Sequence, residues 1–334
     1  MEFSSEKITL FHSEITTFNF LEHPHGGFLI SYLPENSSNI VMMQQDQRYS
    51  EWSHEIPQNK SNFQQLTEKW NRIEGFSSCF DNKGDLLRFF NVKTNEGQVK
   101  LYSTASYSYG KHWDSLKEMT DEFQSWKIVT QPLKIKTGIN IGQIVLSIED
   151  PRVKRAMTVF TKDNGRSWNF SLFVEPPEIE EEPENFHKNG TLSPVTIELK
   201  NNQLKMYCRT LDPSRLTESM SFDMGSTWTT PVSTSVPDFS KKDAFTAYCV
   251  PNIEGTQKNI LILGATGREN QLTPTLWYSK DEGKTFEVVW KSHSLESNPI
   301  KHSIIYLDKE KIIHWLFVIS DNRIYHYWTL LSSI

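Results

Sequence analysis

An eight-residue motif recurs along the chain at a nearly constant spacing. Three copies have the form S/T-x-D-x-G-x-S/T-W/F, namely Thr161–Trp168, Ser221–Trp228 and Ser279–Phe286. A degenerate copy, Ser106–Trp113, keeps the glycine and the tryptophan but has serine in place of aspartate. The aromatic residues that end these four copies are 55, 60 and 58 residues apart, and Trp52 lies 61 residues before the first. This period is typical of a β-propeller, and 334 residues hold just under six repeats.

Each residue type in the motif has a physical role in a hairpin turn. The aspartate can accept hydrogen bonds from backbone N–H groups of the turn that follows. The glycine supplies a positive φ that other residues adopt only at an energetic cost. The serine or threonine can tie the returning strand to the turn, and the aromatic ring fills the blade beneath it. The motif is therefore predicted to be structural and not catalytic.

The strands at the two ends of the chain predict how the propeller closes. The first repeat has one strand too many, beginning with Lys7–Glu14, whereas the last has only Ser303–Leu307, Ile312–Ile319 and Arg323–Leu330. The spare N-terminal strand can complete the last blade, which removes an open sheet edge. We therefore predict that residues 1–334 form a single all-β domain, a six-bladed β-propeller whose last blade is closed by the N-terminal strand.

Two segments interrupt the regular alternation of strands and turns. Lys117–Trp126 is polar with scattered apolar residues, which predicts a short helix or a surface turn. Glu175–Asn185 is acidic and contains several prolines, which predicts a loop without strand potential. This loop is either a solvated connector or a rim over the binding face that repels anions.

The composition argues against several classes of partner. A net charge of −6 and an isoelectric point near 6.0 argue against non-specific binding of nucleic acid. No run of about 18 apolar residues is present, so the sequence predicts no membrane span. The ten histidines are scattered without metal-ligand spacing, so neither a metal nor another cofactor is expected.

The N-terminus and the cysteines predict a compartment. Met1–Lys7 lacks the basic and apolar regions of a secretion signal. The three cysteines (Cys79, Cys208 and Cys249) fall one per predicted blade without a CxxC motif, which is typical of buried thiols in a reducing environment. We expect a cytoplasmic monomer, with secretion after removal of a leader as the alternative.

The repeated motif is similar to the Asp box, or BNR repeat, and the chain resembles the sialidase (neuraminidase) superfamily of six-bladed propellers. The resemblance implies that the boxes lie away from the active site, which occupies the opposite mouth. In that family three arginines bind the substrate carboxylate, because guanidinium groups match carboxylates with two hydrogen bonds. A tyrosine activated by a glutamate is the nucleophile and an aspartate is the acid/base, an exception to the usual pair of carboxylates.

The resemblance can be carried over to particular positions. Arg209, in YCRT, and Arg268, in ATGREN, correspond to two of the carboxylate-binding arginines. The first-blade motif Phe/Tyr-Arg-Ile-Pro is nearest to Leu21–Pro24, which has glutamate where arginine belongs. The activating glutamate would fall near Ser193, and the nucleophilic tyrosine would fall at Lys301. The nucleophile pair of the family is therefore not matched.

Three further residues are candidates for catalysis. His23 lies in the first blade, where a location at the functional mouth would allow general acid/base chemistry. Lys301 and His302 occupy the position of the family's tyrosine and could act as catalytic groups or as ligands for an anion. The alternatives are that His23 is a turn residue and that Lys301 and His302 are ordinary polar loop residues. Tyr306 is close by in sequence and is expected to face into its strand.

Two functions stay open on the sequence. The first is an exo-acting glycoside hydrolase of sialidase type that acts on a glycan containing sialic or uronic acid. The second is a non-catalytic propeller that binds a glycan or a protein partner through the same mouth. The two arginines favour a carboxylated sugar as ligand under either function.

Overall fold

The computed structural model describes most of the chain. The described residues are 3–9, 15–35, 37, 40–45, 52–53, 56–57, 70–119, 125–175, 190–200, 202–210, 216–236, 239–240, 244–251, 258–267, 272–292, 300–319 and 323–334. Within them the structure is all-β apart from two short 3-10 turns, Gly138–Asn140 and Leu331–Ser333. Six antiparallel sheets form the blades of a propeller, as the spacing of the repeats predicted.

The first three blades are consecutive in sequence. Blade 1 consists of β2 (Ile15–Glu22), β3 (Phe28–Pro34), β4 (Val41–Gln45) and β5 (Ile56–Pro57). Blade 2 consists of β6 (Trp70–Phe80), β7 (Leu86–Thr94), β8 (Val99–Ser106) and β9 (Lys117–Glu118). Blade 3 has a divided inner strand and consists of β10 (Lys127–Ile128), β11 (Leu133–Lys134), β12 (Ile144–Asp150), β13 (Arg155–Thr161) and β14 (Asn169–Phe170).

The other three blades include the one that joins the two ends of the chain. Blade 4 consists of β15 (Thr191–Glu198), β16 (Leu204–Thr210), β17 (Leu216–Ser221) and β18 (Val232–Ser233). Blade 5 consists of β19 (Thr246–Pro251), β20 (Lys258–Thr266), β21 (Thr273–Ser279) and β22 (Glu287–Lys291). Blade 6 consists of β23 (His302–Leu307), β24 (Ile312–Val318), β25 (Arg323–Leu330) and β1 (Ser4–Thr9).

The N-terminal strand is the outermost strand of blade 6, which confirms the predicted closure. It pairs antiparallel with β25, so that Ser4 lies opposite Trp328 and Thr9 opposite Arg323. The strand begins at Ser4, before the predicted start at Lys7, and residues 10–14 of the predicted strand lie outside the described residues. The structure therefore joins the first described residues of the chain to the last long strand.

A chain of buried polar side chains runs across blade 6. Asp308 and His314 are 2.8 Å apart between Oδ2 and Nε2, and Nδ1 of His314 lies 2.9 Å from Nε2 of His326. Nδ1 of His326 in turn lies 2.7 Å from Oε1 of Glu6 on β1. Because buried polar groups are destabilising unless they are hydrogen-bonded, this chain couples the closing strand to the interior of the blade.

The two irregular segments are only partly described. The first contains β9 at Lys117–Glu118, so this end of it is a strand and not the short helix or turn that the sequence predicted. The two residues pair with Tyr102 and Ser103 of β8, which gives the polar segment backbone partners that its sequence does not indicate. Residues 120–124 and 176–185 lie outside the described residues, so the acidic loop stays a prediction.

The repeated motifs form the turns between the third and fourth strands of their blades. Asp223 accepts hydrogen bonds from the backbone N–H of Thr227 at 2.8 Å and from its hydroxyl at 2.6 Å. Ser221 donates to the same carboxylate at 2.8 Å and accepts from the N–H of Gly225. Gly225 has a φ of 92°, and Met224 before it also has a positive φ, of 61°. The predicted roles of the aspartate and glycine are therefore present in the structure.

The degenerate copy keeps this geometry without an aspartate. Tyr109 and Gly110 have φ values of 56° and 91°, close to those in the intact motif. The hydroxyl of Ser108 accepts a hydrogen bond from the N–H of His112 at 2.8 Å, as the aspartate does elsewhere. The turn therefore tolerates serine, because it needs only a hydrogen-bond acceptor at the position of the aspartate.

The motifs also connect adjacent blades. Thr158 of blade 3 donates to the carbonyl oxygen of Gly225 in blade 4 at 2.8 Å. Lys205 of blade 4 donates to the carbonyl oxygen of Glu282 in blade 5, also at 2.8 Å, and pairs with Glu218. Backbone carbonyl groups of the box turns thus accept hydrogen bonds from side chains of the preceding blade.

Replacing Asp223 with alanine should destabilise the protein by about 1–3 kcal/mol, because the turn loses the acceptor for Thr227 and Ser221. The measurement is denaturant unfolding followed by circular dichroism. Phe222→Ala in the same turn is a matched control, because that side chain is 65% exposed and its removal should have little effect. Equal stabilities of the two variants would contradict the structural role of the motif.

The same motifs predict acid sensitivity. Burial alone would raise the pKa of Asp163 and Asp281, but hydrogen bonds from the serine and threonine hydroxyls and backbone N–H groups outweigh it and lower each pKa to about 2. A carboxyl whose pKa is lower in the folded state stabilises the fold above its unfolded pKa of about 3.9 and loses this contribution as the pH falls. Stability should therefore decline between about pH 4 and pH 2, and less steeply in Asp163→Asn.

Candidate functional site

The inner strands of the six blades surround a central channel. Because every blade repeats the same order of strands, all inner strands run in one direction along the axis. We call the end where they begin the upper mouth, and the end where they finish the box-side mouth, since the Asp-box turns lie there. The channel has a cavity of about 550 Å³ at the upper mouth, one of about 300 Å³ at the box-side mouth, and a neck of about 60 Å³ between them.

The upper mouth brings together residues from four blades. It is lined by Ile15, Thr16, Glu35, Ser193, Arg209, Ala244, Ile300, Lys301 and His302. Three of these, Arg209, Lys301 and His302, were candidates from the sequence. The structure therefore places three sequence candidates at one cavity, although they lie in different repeats.

Arg209 lies near the end of β16, where the strand reaches the upper mouth. Its guanidinium lies 6.0 Å from the centre of the Phe245 ring. Glu149, near the end of β12 in the preceding blade, accepts a hydrogen bond from the N–H of Ser193 at 2.6 Å. Burial raises the pKa of Glu149. The hydrogen bond from Ser193 and the charges of Lys127 and Arg209 lower it by a smaller amount, so the net shift is upward. Glu149 therefore lies beside the upper mouth and close to Arg209, with the pKa of its carboxyl group raised.

Lys301 and His302 lie at the start of β23. The backbone N–H of Lys301 donates to the carbonyl oxygen of Val318 at 2.9 Å, which fixes the beginning of the strand. Burial, with a smaller contribution from the charge of Lys301, lowers the pKa of His302 to about 4. The imidazole is therefore neutral near pH 7, and its hydrogen bond to the backbone of Thr16, which raises the pKa in part, leaves one ring nitrogen for another partner.

His23 does not lie at this mouth. It follows the end of β2, in the turn to β3, and its Nδ1 accepts a hydrogen bond from the N–H of His25 at 3.2 Å. His25 is in turn 2.8 Å from the hydroxyl of Tyr109 in the degenerate motif. The expected location of His23 at the functional mouth is therefore wrong, because β2 runs the full length of the channel before His23.

The same direction of β2 places Leu21–Pro24, and with it Glu22, at the box-side mouth. The residues of β2 at the upper mouth are Ile15 and Thr16, so Leu21–Pro24 lies at the other end of the strand from Arg209. Tyr306 donates to Glu22 at 2.9 Å, and burial together with this carboxylate raises the pKa of the phenol. This tyrosine is held neutral and lies at the opposite end from Arg209.

The role expected of Arg268 is not tested by the structure. Arg268 lies outside the described residues, so its role stays a prediction.

Glu149 was not a sequence candidate, although the repeat contains a signal for it. Glu149 and Arg209 are 60 residues apart (209 − 149), the same as Trp168 and Trp228 (228 − 168). Equivalent positions of successive blades thus present a carboxylate and a guanidinium to the same mouth.

Within the described part of the chain, no cluster of three or more histidine, cysteine, aspartate or glutamate side chains could hold a metal ion. No helix among these residues is long and apolar enough to cross a membrane.

Comparison with known proteins identifies the repeat. The family model for the BNR repeat-like domain matches residues 33–329. No curated protein sequence shows significant similarity to the chain.

Solved structures show the same fold at low sequence identity. A Hadza microbial sialidase has a TM-score of 0.72 at 16% identity, over 95% of this chain and 66% of that chain. The NanB sialidase of Streptococcus pneumoniae has a TM-score of 0.70 at 11% identity, over 97% of this chain and 69% of that chain. A protein of unknown function from Dyadobacter fermentans has a TM-score of 0.69 at 11% identity, with 98% of both chains covered. The chain spans about two thirds of the length of the two sialidases.

Proposed function

We propose, for a chain that belongs to the BNR repeat-like domain family and has the fold of sialidases, that the upper mouth binds a carboxylated sugar. The ligand class is a glycan that ends in a sialic or uronic acid. The observation that carries the proposal is the position of Arg209 together with Lys301 at one cavity of about 550 Å³. Cavities of roughly 300–1,000 Å³ are typical of sites for small ligands.

Each group at the mouth suits part of such a ligand. Arg209 can form two parallel hydrogen bonds with a carboxylate, and Lys301 adds a second positive charge. The neutral imidazole of His302 can exchange hydrogen bonds with sugar hydroxyls. Ile15 and Ala244, which line the same cavity, offer apolar surface to the body of the sugar. Recognition of the acid and of the sugar are therefore both supported by this mouth.

Hydrolysis of the glycan is the second candidate function. It is favoured by Glu149, whose raised pKa would allow the carboxyl group to act as a general acid. Among the described residues that line the upper mouth there is no tyrosine, so the nucleophile of the resembled family is not reproduced there. A glycosidase of this chain would use Glu149 with a different second group, and a binding protein would use neither.

Arg209→Ala should weaken binding of the free acid by about ten- to a hundredfold, since one charge-assisted contact contributes about 1.5–3 kcal/mol and 1.4 kcal/mol is one decade. The measurement is calorimetry with N-acetylneuraminic acid, with glucuronic acid, and with the carboxyl-reduced neutral analogue of each. The neutral analogues should bind the unmodified protein weakly. Equal affinity for an acid and its neutral analogue would overturn the proposal.

Two further variants separate charge from geometry. Arg209→Lys should recover only part of the affinity, because an ammonium cannot make the planar two-point contact. Arg166→Ala is the matched control, because Arg166 is an exposed arginine of a box turn at the other end of the channel. If turnover of a fluorogenic sialoside or uronide is found, Glu149→Gln should abolish it while leaving binding of the acid intact.

A further inference from the structure

The box-side mouth contains a second, separate cavity. Its volume is about 300 Å³, and side chains of all six blades line it. The narrow neck of about 60 Å³ divides it from the upper mouth. Asn19 lines this neck and is held there by hydrogen bonds to blade 2: its amide donates to the carbonyl oxygen of Phe76 and accepts from Ser77 and the N–H of Ser78. A ligand bound in one cavity is therefore separated by the neck from the other cavity.

The charges that line this cavity favour an anion. They come from three lysines and two glutamates, namely Lys134, Lys136, Lys258, Glu22 and Glu198. This gives a net charge of +1 by the count of three positive and two negative side chains.

Both glutamates already have donors from the protein. Glu198 accepts from the backbone N–H groups of Lys136 and Thr137, each at 2.8 Å, and from the hydroxyl of Thr137. Glu22 accepts from the hydroxyl of Tyr306 at 2.9 Å. Their charges are therefore partly offset by groups that belong to the fold and not to a ligand.

Lys134 is in the opposite situation. It is half-buried on β11, and among the described residues its ammonium takes part in neither an ion pair nor a hydrogen bond. Burial lowers the pKa of Lys134, and the more distant Cys79 and Asp81 only partly compensate. Lys136 nearby donates to the hydroxyl of Tyr248 at 3.2 Å, so it keeps donors for a second partner. The cavity thus presents a partly desolvated ammonium that contacts no carboxylate among the described residues.

The remaining wall is largely apolar. Side chains of inner strands from several blades supply it, including Leu21, Leu133, Val195, Ile197 and Ile305. A polyhydroxylated sugar would leave its hydroxyl groups without partners against this wall, which is unfavourable. A compact hydrocarbon or aromatic body would be buried there favourably.

We propose that the box-side cavity binds a small organic monocarboxylate with an apolar body, its carboxylate on Lys134 and Lys136 and its body against the apolar wall. This ligand class differs from the carboxylated sugar proposed for the upper mouth. It is selected by the ammonium groups of Lys134 and Lys136 and by the apolar side chains that make up most of the remaining wall. The proposed site lies at the end of the channel where the box turns are.

The experiment uses the full chain with benzoate as the probe and benzamide as its neutral counterpart, measured by calorimetry and by saturation-transfer NMR. Benzoate should bind at millimolar concentration or more tightly, and benzamide should bind at least about tenfold more weakly, since one decade is 1.4 kcal/mol. Lys134→Met should weaken benzoate binding by about tenfold, because the charge-assisted contact is lost. Equal affinity for benzoate and benzamide, or an absence of benzoate binding, overturns the proposal.

Controls place the site at this end of the channel. Lys117→Met removes an exposed lysine of β9 and should leave benzoate binding unchanged. Arg209→Ala tests whether the upper mouth takes the probe: a loss of benzoate binding in Arg209→Ala but not in Lys134→Met would assign benzoate to that mouth and overturn the proposal. If Lys134→Met does not fold, Lys134→Gln replaces it with the same expectation, and circular dichroism verifies the fold of each variant.

Discussion

Deletion of residues 1–9 should yield a chain that aggregates and does not unfold cooperatively. The deletion removes β1 and leaves the backbone of β25, Arg323–Leu330, as an open sheet edge. It also removes Ile8, which is 4% exposed, and Phe3, whose ring meets Trp315 edge-on at 5.5 Å. Open edges with adjacent apolar surface pair with other chains. The measurements are size-exclusion chromatography and thermal unfolding.

A peptide supplied in trans gives this prediction a positive test. A synthetic peptide of residues 1–9 should restore a soluble, cooperatively unfolding protein, because a separate strand can pair with an open edge. A peptide of the same composition in scrambled order is the control and should have no effect. A deletion variant that melts within a degree or two of the full chain would show that β1 does not hold the propeller closed.

His314→Leu should destabilise the protein by about 1–3 kcal/mol, the usual effect of leaving buried hydrogen-bonding groups without a partner. The Asp308 carboxylate, with a fully buried side chain, would lose the contact with His314 at 2.8 Å. His326, which also contacts Glu6 on the closing strand, would lose its second imidazole partner. The free energy of unfolding from denaturant titration is the quantity to compare.

A double variant and a surface control complete this test. Adding Asp308→Asn to His314→Leu should recover part of the loss, because a neutral amide that has lost a donor is less unfavourable in the interior than a carboxylate that has lost one. His112→Leu makes the same substitution at an exposed position and should change stability by no more than about 0.5 kcal/mol. Strictly additive single-variant effects would argue that Asp308 and His314 are not energetically coupled.

The sequence predicted only some of the residues that meet at the upper mouth. Arg209, Lys301 and His302 reach the same mouth because each lies where an inner strand starts or a second strand ends. The spacing of the repeats is enough to align these positions between blades. His23 was misplaced because spacing along the chain does not give the direction of a strand relative to the channel axis. Glu149 was missed because its pairing with the mouth depends on a contact to Ser193, 44 residues away.

The buried Arg88 is a second feature that the sequence conceals. In the segment LLRFFNV an arginine is expected on the solvent side of a strand, yet Arg88 is fully buried. Its guanidinium lies 4.4 Å from the Trp113 ring and 5.2 Å from that of Phe76, and it donates to the hydroxyl of Ser78. Burial lowers the pKa of Arg88 to about 9. Packing between two blades, which no local pattern encodes, determines this environment.

The sequence by itself determined the fold, because its strongest signals are local. An Asp-box turn is closed by hydrogen bonds among residues four apart, such as Asp223 and Thr227, so each copy defines a hairpin and the period counts the blades. The surplus of one strand at the start and the lack of one at the end determined the closure. Only the tertiary structure decided which side chains share a cavity, why the ammonium of Lys134 contacts no carboxylate among the described residues and which mouth each residue faces. Those facts depend on contacts between blades, because a local repeat specifies the turn and the strand but not the side chains that the next blade brings against them.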